Sequence, residues 1–147
     1  AVLGRAEILD LPDVGSMSST HSANPLSCAA GLANLQEIER LSLVEKSTNK
    51  GKILHDRLNE MQRRHPDHIS YILGEGMLAS LIFQDLKTVN GAGLLASRIC
   101  ESAMRKGLLL VHTGRESIKI GPPLTIPEDA LCEGLDVLDE ILQESTQ

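Results

Sequence analysis

Two kinds of apolar pattern alternate along this chain, and their alternation limits the folds open to it. Apolar residues recur at helical spacing in four segments: 25–40, 42–64, 93–106 and 127–142. Shorter runs between them have the composition of extended strands, and proline or glycine commonly separates the two kinds, as at Pro66 and Gly107. The alternation predicts an α+β fold in which helices pack on one face of a small, mostly antiparallel sheet.

The helical segments have predictable ends. Pro25 suits a first helical turn, and that helix is expected to run to about Arg40. Ser42 is the candidate N-cap of the next helix, with Glu45 completing a capping box, and that helix should end near Arg64. The residues predicted to face inward from position 42 onward are Val44, Ser47, Gly51, Leu54, Leu58, Met61, Leu95, Ile99, Cys100, Ala103, Met104, Leu131, Leu135, Leu138 and Leu142.

The extended runs predict the strands and their connections. We expect strands at residues 1–4, 69–73, 77–83, 108–112 and 117–120, a helical turn at 6–11 and a loop at 86–91. Glycines at 74 and 76 should break the chain between two strands, and Gly107 should end the third helix. Because residue 1 already lies inside an apparent strand, we expect the sequence to be a piece of a longer chain.

Composition excludes several classes of function. The net charge is −6 and the pI about 5.3, so no basic stripe is available to follow a nucleic-acid backbone. Tyr71 and Phe83 are the only aromatic residues, which argues against base-stacking platforms. The histidines lack paired cysteines at metal-ligand spacing, so no metal site is expected. No apolar run approaches the roughly 20 residues needed to span a membrane.

The three cysteines predict a reducing compartment. Cys28, Cys100 and Cys132 are odd in number, widely separated and placed within helical patterns. They are therefore expected to be buried free thiols rather than a disulfide framework. Because the sequence also lacks the basic flank and apolar core of a secretion signal, a cytoplasmic location is predicted.

Residues 18–30 carry the most specific motif. The segment Ser-Ser-Thr-His-Ser-Ala-Asn-Pro-Leu-Ser-Cys-Ala-Ala places hydroxyls and small residues directly before the helix that begins at Pro25. Such a helix N-terminus offers hydroxyl and backbone N–H donors to an anion. Thr20 is the principal candidate, and an ordinary helix N-cap is the alternative role for it.

This segment resembles the signature Ser-Thr-aromatic-Gly-Gly-Asn-Pro-x-x-x-Ala-Ala of class III pyridoxal-phosphate aminotransferases. Three more pieces resemble that family in the same order. Residues 1–5 are similar to a strand after its Schiff-base lysine, 73–78 to its Gly-x-Gly-Leu/Met break, and 118–126 to its Arg-x-x-Pro-Pro-Leu-x-Ile element. Together the four pieces cover essentially the whole chain, and their common order makes coincidence improbable.

The resemblance implies a cofactor, an assembly and a division of the chain. Thr20, with Ser19 beside it, would bind the phosphate of pyridoxal 5′-phosphate in the neighbouring subunit of a homodimer. Residues 1–24 would be the tail of a large cofactor-binding domain, and 25–147 a linking helix with the C-terminal small domain. No lysine of this sequence stands in the context of the Schiff-base lysine, so no catalytic residue is assigned and the chain should be inactive alone.

Two further residues are candidates for substrate binding. His21 stands where the family commonly has an aromatic residue, so it either lines the mouth of the site or has a packing or surface role. Lys119 occupies the position of an arginine that clamps a carboxylate, and lysine offers a point charge instead of a planar fork. A solvent-facing lysine is the alternative for Lys119, and Arg115 in the nearby turn could substitute for it.

The resemblance implies transfer of an amino group between an amine or ω-amino acid and an oxo acid. An aminomutase on the same scaffold is one alternative, and a non-catalytic dimerisation or interaction domain is another. The identities of the donor and the acceptor lie beyond the sequence.

Overall fold

The computed structural model describes residues 2–16, 19–84 and 91–145, which divide into two compact units. The first unit is Ala1–Arg40 and the second is Leu41–Gln147. Each unit is built from its own secondary structure, and the predicted loop at 86–91 lies outside the described residues except for Gly91.

The first unit is helical. It contains α1 (Ala6–Leu9) and α2 (Pro25–Arg40), so the predicted bounds of the longer helix are confirmed. The strand predicted for residues 1–4 is wrong over 2–4, where the backbone has no strand partner among the described residues. Neither helix buries a residue, and Leu26, Leu32 and Leu35 of α2 are 80%, 57% and 61% exposed. This unit therefore presents apolar surface over much of its length.

The second unit confirms the predicted α+β class. Its elements, in chain order, are α3 (Leu43–Arg64), β1 (Ile69–Glu75), β2 (Leu78–Phe83), α4 (Gly91–Arg105), β3 (Val111–His112), β4 (Ser117–Ile120) and α5 (Glu128–Ser145). The four strands form one antiparallel sheet in the order β1-β2-β4-β3. The helices pack on one face of this sheet, so the core lies between them and the sheet.

Strand alternation divides the sheet into a core face and an open face. On the core face, Leu81 pairs with Ile72 on one side and with Ile118 on the other. Leu81 and Ile118 are fully buried. The open face carries a row that crosses all four strands, Leu73–Ser80–Lys119–Val111. Within the described part of this unit no helix packs on the row, and Lys119 is exposed.

The β1–β2 hairpin depends on two glycines. Gly74 has φ +121° and lies within β1, so the strand continues to Glu75 and the predicted break moves to the turn at Gly76 and Met77. A Cβ at Gly74 would lie 2.1 Å from the Leu78 carbonyl oxygen. Across the core, Gly51 of α3 lets the helix approach Gly76, because a Cβ at Gly51 would lie 2.6 Å from the Gly76 Cα.

Most predicted inward residues are buried, but three local predictions are wrong. Ser42 has φ +51° and makes no side-chain cap, so the capping box does not form and Leu43 is buried instead of Val44. Met104 is 60% exposed because it faces away from the core side of α4. The strand predicted at 108–112 is limited to β3, two residues long.

Ion pairs fasten α5 to both neighbouring helices. On one side Arg57 pairs with Asp136, and the Arg64 guanidinium lies 2.8 Å from Asp139. On the other side Lys106, in the turn directly after α4, has its Nζ 2.9 Å from both Glu140 and Glu144.

The cysteines are free, but their burial differs from the prediction. Cys28 is exposed on α2, whereas Cys100 and Cys132 are half-buried. Burial raises the pKa of the Cys100 thiol, which keeps it protonated at neutral pH. None of the described helices is both long and apolar enough to cross a bilayer.

Candidate functional site

The turn before α2 is organised by two polar side chains. Ser19 accepts the His21 N–H through its Oγ at 3.2 Å and the Ser22 N–H through its carbonyl at 3.0 Å. Asn24 Oδ1 accepts the N–H groups of Leu26 and Ser27 at 3.0 and 3.3 Å. Asn24 is thus the N-cap of α2, and the sequence Asn-Pro at a helix start is the signal that identifies it.

Thr20 does not cap the helix. The first-turn donors are already satisfied by Asn24, so the anion-binding donors predicted for the helix end are not free there. Within the described part of the chain, the Thr20 hydroxyl and the Thr20 N–H have no hydrogen-bond partner, and the residue is exposed. The turn therefore offers donors at Thr20, one residue after the Ser19 hydroxyl, and this set can bind an anionic oxygen.

Ala23 occupies a position in the turn whose backbone conformation favours glycine. Its φ is +58°, in the left-handed region that glycine adopts without steric cost. Ala23 therefore adopts this conformation although it has a Cβ. The next residue, Asn24, caps the start of the helix.

His21 borders a depression along α2. The depression has a volume of about 550 Å³, and Asn24, Cys28 and Leu35 also line it. His21 is exposed and its ring makes no hydrogen bond with other described residues. It can therefore present an imidazole nitrogen to a molecule that enters the depression.

Lys119 belongs to the second unit, on the open face of the sheet. It lines a separate, largely aliphatic cavity of about 300 Å³, together with residues of α5 and of the segments flanking β3 and β4. Among the described residues no carboxylate pairs with it, in contrast to Lys52, Lys106 and the pair of arginines on α3. The ammonium group is therefore available to a carboxylate from outside the chain.

Lys50 supports this second site and was not identified from the sequence. Its Nζ donates to the carbonyl oxygens of Leu124, at 3.3 Å, and Ile126. These bonds tie the loop after β4 to α3 over 74 and 76 residues of sequence. Only tertiary contact reveals this role, because nothing near Lys50 in the sequence marks it.

One neighbouring histidine and one arginine have structural or solvent-exposed positions. His112 Nε2 lies 2.7 Å from the Arg115 carbonyl oxygen, so His112 closes the turn between β3 and β4. Arg115 is exposed in that turn. No group of three or more histidine, cysteine or acidic residues in the described ranges is placed to hold a metal ion.

The structure thus groups Ser19, Thr20 and His21 in one turn of the first unit and places Lys119 in the second. Their predicted roles in cofactor and substrate binding stay predictions.

Comparison with known proteins identifies the relatives. The family model "Aminotransferase class-III" matches residues 1–142. A 4-aminobutyrate aminotransferase of Mycobacterium bovis is 36% identical over 147 residues, covering 98% of this chain and 32% of that protein. The 4-aminobutyrate aminotransferase GabT of Escherichia coli is 32% identical, covering 99% of this chain and 35% of GabT. The chain therefore spans about a third of the length of these relatives.

Solved structures agree with the sequence relatives. The acetylornithine aminotransferase of Elizabethkingia anophelis superposes with a TM-score of 0.76 at 26% identity, covering 97% of this chain and 34% of that one. A transaminase obtained by ancestral reconstruction gives 0.78 at 25% identity, with coverage of 94% and 31%.

Proposed function

Because the chain belongs to the class III aminotransferases, we propose that it is the C-terminal part of an enzyme that moves an amino group between an amine or ω-amino acid and an oxo acid. Relatives named for 4-aminobutyrate, 5-aminovalerate and acetylornithine support an ω-amino donor. The observation that carries the proposal is the turn at Thr20, whose donors have no partner among the described residues.

The donors of this turn suit the phosphate of pyridoxal 5′-phosphate. Thr20 would donate through its hydroxyl and N–H, and Ser19 can still donate its hydroxyl proton while its oxygen accepts the His21 N–H. When bound, the cofactor supplies an electron sink for the carbon that exchanges its amino group. The protein's part in this unit is to hold the phosphate, and His21 would border the entry for substrate.

We further propose that this chain does not transaminate by itself. Three of the described lysines are engaged elsewhere: Lys50 binds loop carbonyls, Lys52 pairs with Asp56, and Lys106 pairs with Glu140 and Glu144. The family's chemistry needs a lysine that holds the cofactor, and Lys119 is expected to bind substrate instead.

Lys119 is proposed to bind the carboxylate of the substrate. Its exposure, and the lack of an acidic partner among the described residues, support this role. An ammonium group holds a carboxylate through a point charge and permits more orientations than the bidentate fork of arginine. We therefore expect the enzyme to use oxo-acid acceptors whose carboxylates differ in their geometry.

A homodimer with a shared cofactor site is proposed as the assembly. The apolar side chains exposed on the first unit support it, because Leu3, Leu11 and Leu26 are 94%, 79% and 80% exposed. We place the enzyme in the cytoplasm, which the three free cysteines support. Residues 1–24 are assigned to the large domain and 25–147 to the linking helix and small domain.

A chimera tests the proposed cofactor contact. The matching third of E. coli GabT is replaced by this chain, and transamination and pyridoxal 5′-phosphate affinity are measured. We expect an active chimera, and Thr20→Val should weaken cofactor binding about 10- to 100-fold, because hydrogen bonds to a charged group are lost without a change of shape.

Thr20→Ser is the matched control, since it keeps the hydroxyl and should keep most of the affinity. Equal affinity in Thr20→Val and the unchanged chimera would contradict the phosphate contact. An inactive chimera that folds and dimerises would favour the non-catalytic interaction domain, and isomerised product without an oxo acid would favour an aminomutase.

The same chimera tests Lys119. Lys119→Met should raise the KM for 2-oxoglutarate by about tenfold, because a charged hydrogen bond to a carboxylate is lost. Lys119→Arg should restore that KM and narrow the range of acceptors. If both variants leave acceptor preference unchanged, Lys119 does not bind the substrate carboxylate.

A further inference from the structure

The shortness of β3 opens a gap at the edge of the sheet. The β3–β4 ladder contains only the pairs Val111–Lys119 and His112–Ile118. Beyond these pairs, residues 108–110 and 121–123 are not in strand conformation, and both segments line the 300 Å³ cavity. The cavity therefore lies where a longer strand would have closed the sheet against α5.

The walls of this cavity are almost entirely aliphatic. Leu131, Leu135 and Leu138 of α5 are 4%, 3% and 1% exposed, and Leu108 and Ile120 face the same space. Ala130, near the start of α5, is exposed and contributes only a methyl group to the cavity lining. Such walls favour binding of a hydrocarbon, because binding removes apolar surface of both the cavity and the ligand from contact with water.

One charge accompanies these walls. Lys119 is the single charged residue among the described residues that line the cavity, and it is solvent-exposed on the open face at the Val111–Lys119 pair, where the ladder ends beside the gap. No described carboxylate neutralises it. An occupant that extends a hydrocarbon tail inward and a carboxylate outward would match both features.

We propose that this cavity binds a free, medium-chain aliphatic monocarboxylate, with its tail against α5 and its carboxylate at Lys119. A methylene group takes up roughly the volume of one water molecule, about 30 Å³, so the cavity has room for about ten heavy atoms. Octanoate matches that size. The site does not include the turn at Thr20 and does not require the chain to transaminate, but it shares Lys119 with the proposed contact to the substrate carboxylate.

Binding of octanoate to the full chain tests the inference. Calorimetric titration should give saturable binding at one site, and butyrate should bind roughly 200-fold more weakly, at about fourfold per methylene. Octylammonium, with a similar tail and the opposite charge, should bind at least tenfold more weakly. Nuclear Overhauser contacts should join the octanoate tail to the methyl groups of Leu131 and Leu135.

Three variants separate the charge from the cavity. Lys119→Met should weaken octanoate binding about tenfold, as expected for one hydrogen bond between charged groups. Lys46→Met removes the same charge from an exposed position on α3 outside the cavity and should leave affinity unchanged. Ala130→Leu adds a larger side chain to the cavity lining and should reduce affinity at least tenfold.

The inference is overturned if Lys119→Met and Lys46→Met bind octanoate equally, or if the tail contacts Leu26, Leu32 and Leu35 of α2 instead. Because Ala130 is exposed, its replacement should not disturb folding, and the Lys119 comparison stands without it. A negative result would leave the proposed phosphate contact at Thr20 untouched, since the measurement uses no cofactor, and the KM of Lys119→Met in the chimera tests the substrate carboxylate separately.

Discussion

Replacing Gly74 by alanine should lower the free energy of unfolding by about 3 kcal/mol or more. Two costs combine at this position. The φ of +121° is a conformation that residues with a Cβ rarely adopt, and the added Cβ would lie 2.1 Å from the Leu78 carbonyl oxygen. Relief would require the hairpin to open, which would break the Gly74–Ala79 pair of the ladder. Urea denaturation followed by far-ultraviolet circular dichroism measures the loss.

Substitutions at two other glycines distinguish the cost of backbone strain from the cost of the close contact. Gly114 has φ +82° with no atom within 4 Å of an added Cβ, so Gly114→Ala should cost only the strain, about 1 kcal/mol. Gly51 meets the Gly76 backbone without a left-handed φ, so Gly51→Ala should cost about 1–2 kcal/mol after the gain in helix propensity. If Gly74→Ala is no worse than Gly114→Ala, the close approach to Leu78 is not rigid.

Replacing Phe83 by alanine should have the largest effect among substitutions in the core, about 3–5 kcal/mol. Phe83 is the only phenylalanine of the sequence and is 2% exposed, at the end of β2 opposite Ile69. Its removal would leave a cavity among aliphatic side chains that belong to several elements, so collapse around it would be incomplete. The midpoint of urea denaturation should fall without a large change in slope.

Tyr71 gives a matched comparison on the same hairpin. It is the other aromatic residue, but it lies on the open face of β1 and is 66% exposed. Tyr71→Ala should therefore change the free energy of unfolding by no more than about 0.5 kcal/mol. Equal losses in the two variants would mean that the open face is buried in solution, by the rest of a longer chain or by another copy.

Long periodic segments were the most predictable part of the fold. The bounds of α2, Pro25–Arg40, and the leucine stripe of α5 follow from local signals: a proline in the first turn and apolar residues at helical spacing. The wrong predictions lie at positions where two local conformations have similar energies. Leu43 and Val44 are adjacent and both apolar, so the sequence did not decide which one faces the core.

The candidate site was also predictable only where it depends on local sequence signals. Thr20 was identified because its neighbours form a specific motif, and the structure adds that Asn24 caps the helix and leaves the Thr20 donors without a partner among the described residues. Lys50 was missed because its partners, Leu124 and Ile126, are more than 70 residues away.

The sequence by itself determined the α+β class, the family and the turn that carries Thr20, because each depends on residues close together in the chain. Only the tertiary structure decided that β3 is short, that a cavity opens between β3, β4 and α5, and that Lys119 lies at its edge. These features depend on how separate segments compete for the same space and the same backbone hydrogen bonds. A local pattern does not specify the result of that competition.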